Sequence, residues 1–272
     1  SFPAVWAAHR MRVPLFLHDG NARVGKANRF FSRWARVIGV AFPPVNAERI
    51  HCPWDVTGMP LRPELLERRY RKDEAIAGLN ARFDAGLEPE RWTILIFGGS
   101  QGARSVNLAF SRVLVEFGAR RHDFQVIHLT GKYEFELMQS IWAKANFPVL
   151  LLPSLDDMAL AYGAADLVVA RSGGSSVAEL AWFRKFAVLV PYPFAAEDHQ
   201  SDNAEYLAAG EAALVVPNSQ CEARAGGILQ KFFDDPVEFT APGPKSLRLG
   251  RANAAGGMID LMEKNLAEGG KK

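Results

Sequence analysis

Only two cysteines, Cys52 and Cys221, occur in 272 residues, far apart and without a second pair. A disulfide framework is excluded, and a reducing compartment suits the chain. No uninterrupted apolar run approaches the roughly 18–20 residues that a membrane span needs. The longest, such as Trp92–Phe97 and Ala187–Val190, have the length of buried strands. Charge of one sign is also lacking: the formal net charge of +2 creates no demand for nucleic acid and leaves at most a weak preference for anionic surfaces. The six histidines form no H-x-x-x-H pair and no Cys/His ligand spacing, so no metal is expected. A basic leader is missing at Ser1-Phe2-Pro3, and the chain reads as cut from something longer. There is no internal repeat or low-complexity tract.

What is present is ordinary globular composition, 49% hydrophobic and 23% charged. Short apolar runs alternate with helical stretches. Strands are expected at Val13–Leu17, Trp92–Phe97, Phe124–His128, Val149–Leu152, Asp166–Ala170, Ala187–Val190 and Ala213–Val216. Helices are expected at Ala103–Phe117, Tyr133–Lys144, Asp157–Tyr162, Ser175–Phe183, Gln200–Ala209 and Ala223–Phe233. Continuous rather than alternating hydrophobicity places these strands in a sheet covered on both faces, which means a doubly wound parallel α/β sheet. Pro43-Pro44 and the proline-rich segment Cys52–Pro63 read as a linker. The expected division is a remnant domain with its linker over 1–57, a ligand-binding domain over 58–241, and a C-terminal helical segment over 242–272 that packs back on the N-terminal part. Residues 1–57 are too few for a Rossmann-like domain of about 100 residues.

Three polar loops follow strands. Gly98-Gly99-Ser100-Gln101-Gly102 joins the strand Trp92–Phe97 to a helix. Its glycines let a backbone approach phosphate, and the helix N-terminus offers free N–H groups. It lacks the Lys-Ser/Thr of a Walker loop and the G-x-G-x-x-G spacing, so a tight structural turn is the competing account. Arg171-Ser172-Gly173-Gly174-Ser175-Ser176-Val177-Ala178-Glu179 repeats that arrangement after another strand. Two such loops at carboxyl ends of parallel strands favour ligand binding. Glu179, one turn into its helix, could hold ribose hydroxyls; otherwise it offsets the helix dipole. In Ala196–Asn203, the amides of Gln200 and Asn203 lie three residues apart and suit sugar hydroxyls. A helix start capped by Asp198 is the alternative. Ser154 with Asp157 reads as a capping box, and His18-Asp19 stands at a strand end beside Gly20-Asn21.

Taken in order, these loops resemble the bacterial cell-wall transferases of glycosyltransferase family 28. Leu17–Asn21 is similar to that family's His-Glu-Gln-Asn segment, and Val56–Arg62 to its Gly-Asn-Pro-Val-Arg turn. Gly98–Arg104 with Asn107, Leu155–Met158, Arg171–Glu179 and Asp198–Asn203 match in turn. The resemblance implies a GT-B fold and an inverting transfer of N-acetylglucosamine from UDP-GlcNAc to undecaprenyl-linked muramyl-pentapeptide, lipid I to lipid II, in peptidoglycan synthesis. It implies no cofactor, and peripheral contact with the cytoplasmic face of the bacterial inner membrane. Ser100 would meet the diphosphate, with Gln101 beside it in the substrate site, the Leu155 backbone the uracil, and the loop of Gly174, Ser175, Ser176, Val177 and Ala178 the phosphates. Glu179 would take the ribose and Gln200 the sugar, with Asn21 and Arg62 completing the site. The family's catalytic base would lie in an N-terminal segment absent here. Gly20 and Met59 depart from the family pattern. Two other readings are a family 28 transferase with a different lipid acceptor, and a sugar-nucleotide-binding subunit that needs a partner carrying the acceptor half. A UDP-sugar epimerase on the same fold, with Asp19 as its acid, is a third.

Overall fold

The structure is a computed structural model that describes residues 2–119, 121–240 and 253–269. Two parallel sheets organise it. The small one pairs β1 (Phe16–Asp19), β2 (Val37–Val40) and β3 (Trp54–Val56) in sequence order. It is flanked by α1 (Phe2–Arg10) and α2 (Lys26–Phe31). The segment expected as linker therefore contains a strand. Its three residues are exposed or half-buried, so Trp54-Asp55-Val56 carries too little apolar pattern to announce itself. β2 was also unassigned: all four of its residues are buried, but Gly39 interrupts the apolar run.

After α3 (Pro63–Glu67) and α4 (Lys72–Phe83) come the strands of the large sheet. They are β4 (Trp92–Phe97), β5 (Phe124–Leu129), β6 (Val149–Leu152), β7 (Leu167–Ala170), β8 (Ala187–Leu189) and β9 (Ala213–Val215). Their spatial order is β6-β5-β4-β7-β8-β9, all parallel. Between them run α5 (Arg104–Gly118), α6 (Phe135–Trp142), α7 (Met158–Ala164), α8 (Gly174–Phe183) and α9 (His199–Ala209), followed by α10 (Cys221–Asp234) and α11 (Val237–Thr240). Each expected strand and helix between residues 92 and 234 is present within a few residues of its expected ends.

Alternate residues of each central strand face opposite cores. Leu95, Phe97, Ile127, Leu129 and Val168 pack with Ile76, Leu79, Leu160, Leu180 and Leu207 of α4, α7, α8 and α9. Ile94, Ile96, Phe124, Val126 and Val169 pack with Phe110, Leu114, Met138 and Phe232 of α5, α6 and α10. Burial on both faces is why the strands read as unbroken apolar runs, and each such side chain contributes about 1.5–3 kcal/mol. The last helix, α12 (Ala254–Gly269), returns to lie against β2. Gly39 makes that possible, since a Cβ there would stand 2.6 Å from the sulfur of Met258. Of the C-terminal segment expected over 242–272, residues 242–252 and 270–272 lie outside the described residues.

Strand order reverses between β4 and β7, so a crevice opens where the loops after these strands diverge. The loops Gly98–Gly102 and Arg171–Gly173 border it.

His128 in β5 is wholly buried, and burial pushes its imidazole down to about 3. The unfolded chain takes a proton here near pH 6.5, whereas the folded chain refuses it until about pH 3. Stability from this group is therefore intact above pH 6.5 and drains as the pH falls toward 3. A one-proton difference gives about 1.4 kcal/mol per pH unit. Denaturant titrations at pH 7 and pH 5 should show a loss of about 2 kcal/mol that His128→Gln lacks. Equal pH dependence in both proteins would contradict the assignment.

Candidate functional site

The turn from β4 to α5 has almost no room for side chains. A Cβ at Gly98 would lie 2.3 Å from that of Ala103, and one at Gly102 (φ +83°) would lie 2.4 Å from the Thr130 carbonyl oxygen. Ser100 and Gln101 are exposed at its tip. Ala103 at the N-cap of α5 makes no side-chain cap, and no acidic residue follows in the first turn. The same is true of α8, whose N-cap is Gly173. Two helix N-termini therefore point unpaired N–H groups and positive dipole ends toward one crevice, an arrangement suited to an anion. At α8 the available N–H groups belong to Gly174, Ser175 and Ser176. The Val177 N–H is already bonded to the Gly173 carbonyl, and the side chains of Val177 and Ala178 are buried in the core.

One turn further along α8, Glu179 accepts a hydrogen bond from the hydroxyl of Tyr162 at 2.8 Å. Burial pushes the Glu179 carboxyl up, while the Tyr162 hydrogen bond and the Arg62 charge pull it down. Burial first, and then Glu179, push the Tyr162 phenol well above its ordinary value. Arg62 also donates to the Asp156 carbonyl at 3.5 Å. Arg62, Leu155 with its neighbour Asp156, and Glu179 thus gather on one side of the crevice, although 117 positions separate the outermost (62 to 179). Tyr162 was missed because a lone tyrosine in an alanine-rich helix carries no local signal. The expected capping box is absent: Asp157 stands at the N-cap of α7 without a side-chain cap. Its carboxylate is taken instead by Arg68 at 2.9 Å and Arg82 at 3.4 Å.

The third group divides. Asn203 is fully buried; its Oδ1 accepts from the Ala22 N–H at 2.8 Å, and its Nδ2 donates to Asn21 Oδ1 at 3.0 Å and to the Ser172 carbonyl at 3.1 Å. Asn21 and Asn203 are therefore brought together, but as a pin between the small and large sheets. Gln200 stays partly exposed on α9 and accepts from the Tyr192 N–H at 3.0 Å. Asp198 at the N-cap of α9 makes no cap bond and accepts from Ser201. Ion pairs Arg23–Asp202 at 2.6 Å and Arg29–Glu197 at 2.7 Å flank the pin. Asp19 is buried, and both of its oxygens are engaged: Oδ1 accepts from the Asn21 N–H, Oδ2 from the Gly25 N–H and Asn28 Nδ2. Gly20 and Met59, the two departures, are neighbours: a Cβ on Gly20 would stand 3.0 Å from the Met59 sulfur.

Known proteins are similar to this chain in sequence and fold. Residues 93–230 match the Glycosyltransferase family 28 C-terminal domain. The UDP-N-acetylglucosamine--N-acetylmuramyl-(pentapeptide) pyrophosphoryl-undecaprenol N-acetylglucosamine transferase of Myxococcus xanthus is 31% identical over 262 residues, covering 96% of this chain and 65% of that protein. The crystal structure of MurG from Acinetobacter baumannii superposes with a TM-score of 0.77 at 29% identity, over 96% of this chain and 70% of that one. A UDP-GlcNAc 2-epimerase from Neisseria meningitidis shares the fold, with a TM-score of 0.66 at 12% identity over 97% and 73% of the two chains.

The pin should dominate the junction energetically. Exposed or half-exposed ion pairs contribute about 0–1 kcal/mol each, whereas leaving a buried N–H unpaired costs about 1–3 kcal/mol. Asn203→Ala should therefore lower unfolding free energy by about 2–4 kcal/mol, and Arg23→Ala by under about 1 kcal/mol, by urea denaturation. Equal losses would refute this ranking.

Proposed function

The chain belongs to glycosyltransferase family 28, and from that premise we propose that it carries the UDP-N-acetylglucosamine site of an inverting transferase acting on lipid-linked muramyl-pentapeptide. The observation that carries this reading is the pair of uncapped helix N-termini, α5 and α8, at the strand-order reversal, with Glu179 one turn beyond. A nucleoside diphosphate presents the complementary sequence of groups: two phosphates for the helix ends, then ribose hydroxyls for a carboxylate.

In this assignment Ser100, Gln101 and the first N–H groups of α5 and α8 hold the diphosphate. The backbone at Leu155 meets the uracil, Glu179 accepts from the ribose, and Gln200 contacts the sugar. Arg62 adds a positive charge beside Glu179. Val177 and Ala178 shape the start of α8 without touching the ligand, and Asn21 and Asn203 fix the position of the small sheet. The acceptor hydroxyl attacks the sugar C1 as its bond to the diphosphate oxygen breaks, and the leaving UDP keeps the electron pair. Negative charge grows on the diphosphate at that moment. The helix ends are already oriented toward it, and a single such preorganised donor is worth about 3–4 kcal/mol of barrier. Asp19 is unsuited to take the acceptor's proton, because its oxygens already accept three protein hydrogen bonds. The same engagement weighs against epimerase chemistry with Asp19 as the acid.

A lipid-linked acceptor also calls for a membrane-facing surface. Phe2, Trp6, Met11, Val13 and Phe30 are exposed large hydrophobics around α1 and α2, with Arg10, Arg12, Arg33 and Arg36 exposed among them. Apolar insertion plus attraction to anionic headgroups is the physics of an interfacial anchor. No helix among the described residues is long and apolar enough to cross a membrane. Contact through this face suits a peripheral enzyme at the cytoplasmic side of the inner membrane.

Calorimetry should show UDP binding about tenfold tighter than 2′-deoxy-UDP, a preference that Glu179→Ala abolishes, while Ser100→Ala weakens both ligands. Failure of the folded chain to bind UDP would sink the reading; a preference that survives in Glu179→Ala would remove Glu179 from the ribose. In vesicle sedimentation, the chain should bind phosphatidylglycerol vesicles and not phosphatidylcholine ones, and Trp6→Ser should reduce that binding. Indifference to lipid charge would count against the basic face.

A further inference from the structure

Behind the β4–α5 turn lies a polar chain sealed from solvent that none of the roles above uses. The indole Nε1–H of Trp142 in α6 donates to His128 Nδ1 at 2.9 Å. His128 Nε2 lies 3.1 Å from Asn107 Oδ1, and Asn107 Nδ2 donates to the Thr130 carbonyl at 2.9 Å. His128, Asn107 and Thr130 have no exposed surface, and Trp142 is 6% exposed. The protonation is fixed by elimination. An indole N–H can only donate, so Nδ1 is an acceptor and the ring proton sits on Nε2. The Asn107 amide is oriented the same way from its other end, because a carbonyl can only accept. All donors run in one direction: Trp142 to His128, to Asn107, to Thr130.

The chain ends where the candidate site begins. The Thr130 carbonyl abuts Gly102, and Gly131 (φ +80°) is packed so tightly that a Cβ would lie 2.1 Å from the Gly102 nitrogen. The Lys132 N–H bonds to the Ser100 carbonyl at 3.2 Å, and the Gly131 N–H bonds to the Pro153 carbonyl at 3.0 Å, two residues before Leu155. The turn Thr130–Lys132 therefore clamps the glycine turn of α5 on one side and the approach to Leu155 on the other.

We propose that His128, held as its neutral Nε2–H tautomer by Trp142, is a positioning residue that sets the diphosphate turn Gly98–Gly102 through Asn107 and the Thr130 carbonyl. It touches no ligand, and its consequence for affinity rests on the nucleotide reading given above. An apolar side chain at position 128 would leave the Trp142 N–H and Asn107 Oδ1 unpaired and free the Asn107 amide to turn, loosening both turns together. Glutamine is the conservative replacement, because one carboxamide can accept from Trp142 and donate to Asn107 as the imidazole does.

The test compares His128→Leu, His128→Gln and Leu114→Ala, the last a buried lesion in α5 outside the polar chain. Two readouts are taken at pH 7.5: hydrogen exchange of the unliganded chain at the amides of Gly102, Asn107, Gly131 and Lys132, and UDP affinity by calorimetry. His128→Leu should speed exchange at these amides and weaken UDP by about tenfold. His128→Gln should stay within about threefold of the parent, and Leu114→Ala should spare both readouts despite a lower melting temperature. Unchanged exchange in His128→Leu, no rescue by Gln, or an equal effect of Leu114→Ala would overturn the proposal. If the parent chain fails to bind UDP, the nucleotide reading falls, and the exchange comparison alone decides the positioning role.

Discussion

Where the Gly20 carbonyl meets the start of α8, there is no space for a side chain: a Cβ on Gly174 would stand 2.0 Å from that oxygen. This backbone contact sets how the small sheet sits against the large one. It brings Asn21 and Ala22 within reach of Asn203, so that one amide bridges both sheets and the Ser172 turn. Because residue 174 is glycine, the contact forms without pushing α8 back. Its N-terminus therefore remains at the crevice beside α5, and its orphan N–H groups keep their orientation.

Within that crevice, charge is arranged by omission. Neither α5 nor α8 carries an acidic residue in its first turn, although an aspartate or glutamate there would stabilise each helix by roughly 0.3–1 kcal/mol. A carboxylate or a capping side chain would also occupy the groups an anion needs. The local loss is small beside what a bound anion would restore, a familiar pattern where local helix rules are broken at a site. Glu179 stands one turn further along α8. Burial disfavours its charge, and Tyr162 and Arg62 favour it. Those opposing influences keep a partly buried carboxylate as an acceptor without stranding it unpaired.

The large sheet was legible because its four central strands, β4, β5, β7 and β8, are buried on both faces, and sequence hydrophobicity reports that condition directly. The glycine turns were legible because only glycine fits the positive φ of Gly102 and the close backbone contacts at Gly102 and Gly174. Less could be read where meaning depends on partners distant in sequence. Tyr162 and Glu179 meet only because α7 and α8 pack side by side. Asp157 looked like part of a capping box because its local spacing fits one, and its carboxylate is captured by Arg68, just after α3, and Arg82 of α4. Asn203, expected at the sugar from its place on α9, is buried with its amide bonded to Ala22, Asn21 and Ser172. β3 was invisible because a short strand with exposed residues has no pattern to detect.

Gly20 and Met59 count as a single change rather than two. In isolation, the loss of a side chain at 20 removes a polar group from the cleft edge, and methionine at 59 places an apolar one near it. In the structure the thioether lies over the vacant side of Gly20, close enough that a Cβ at 20 would have to move it. Methionine suits such a space, being unbranched and able to settle into an irregular gap. The two positions are thus coupled, since a side chain at 20 would need the flexible thioether to shift. Neither residue belongs to the turns around α5 and α8, and the exchange leaves the Gly20 carbonyl against Gly174. The backbone fit of Gly20 against Gly174 sets how closely the two sheets approach, and the Asn203 amide holds them there.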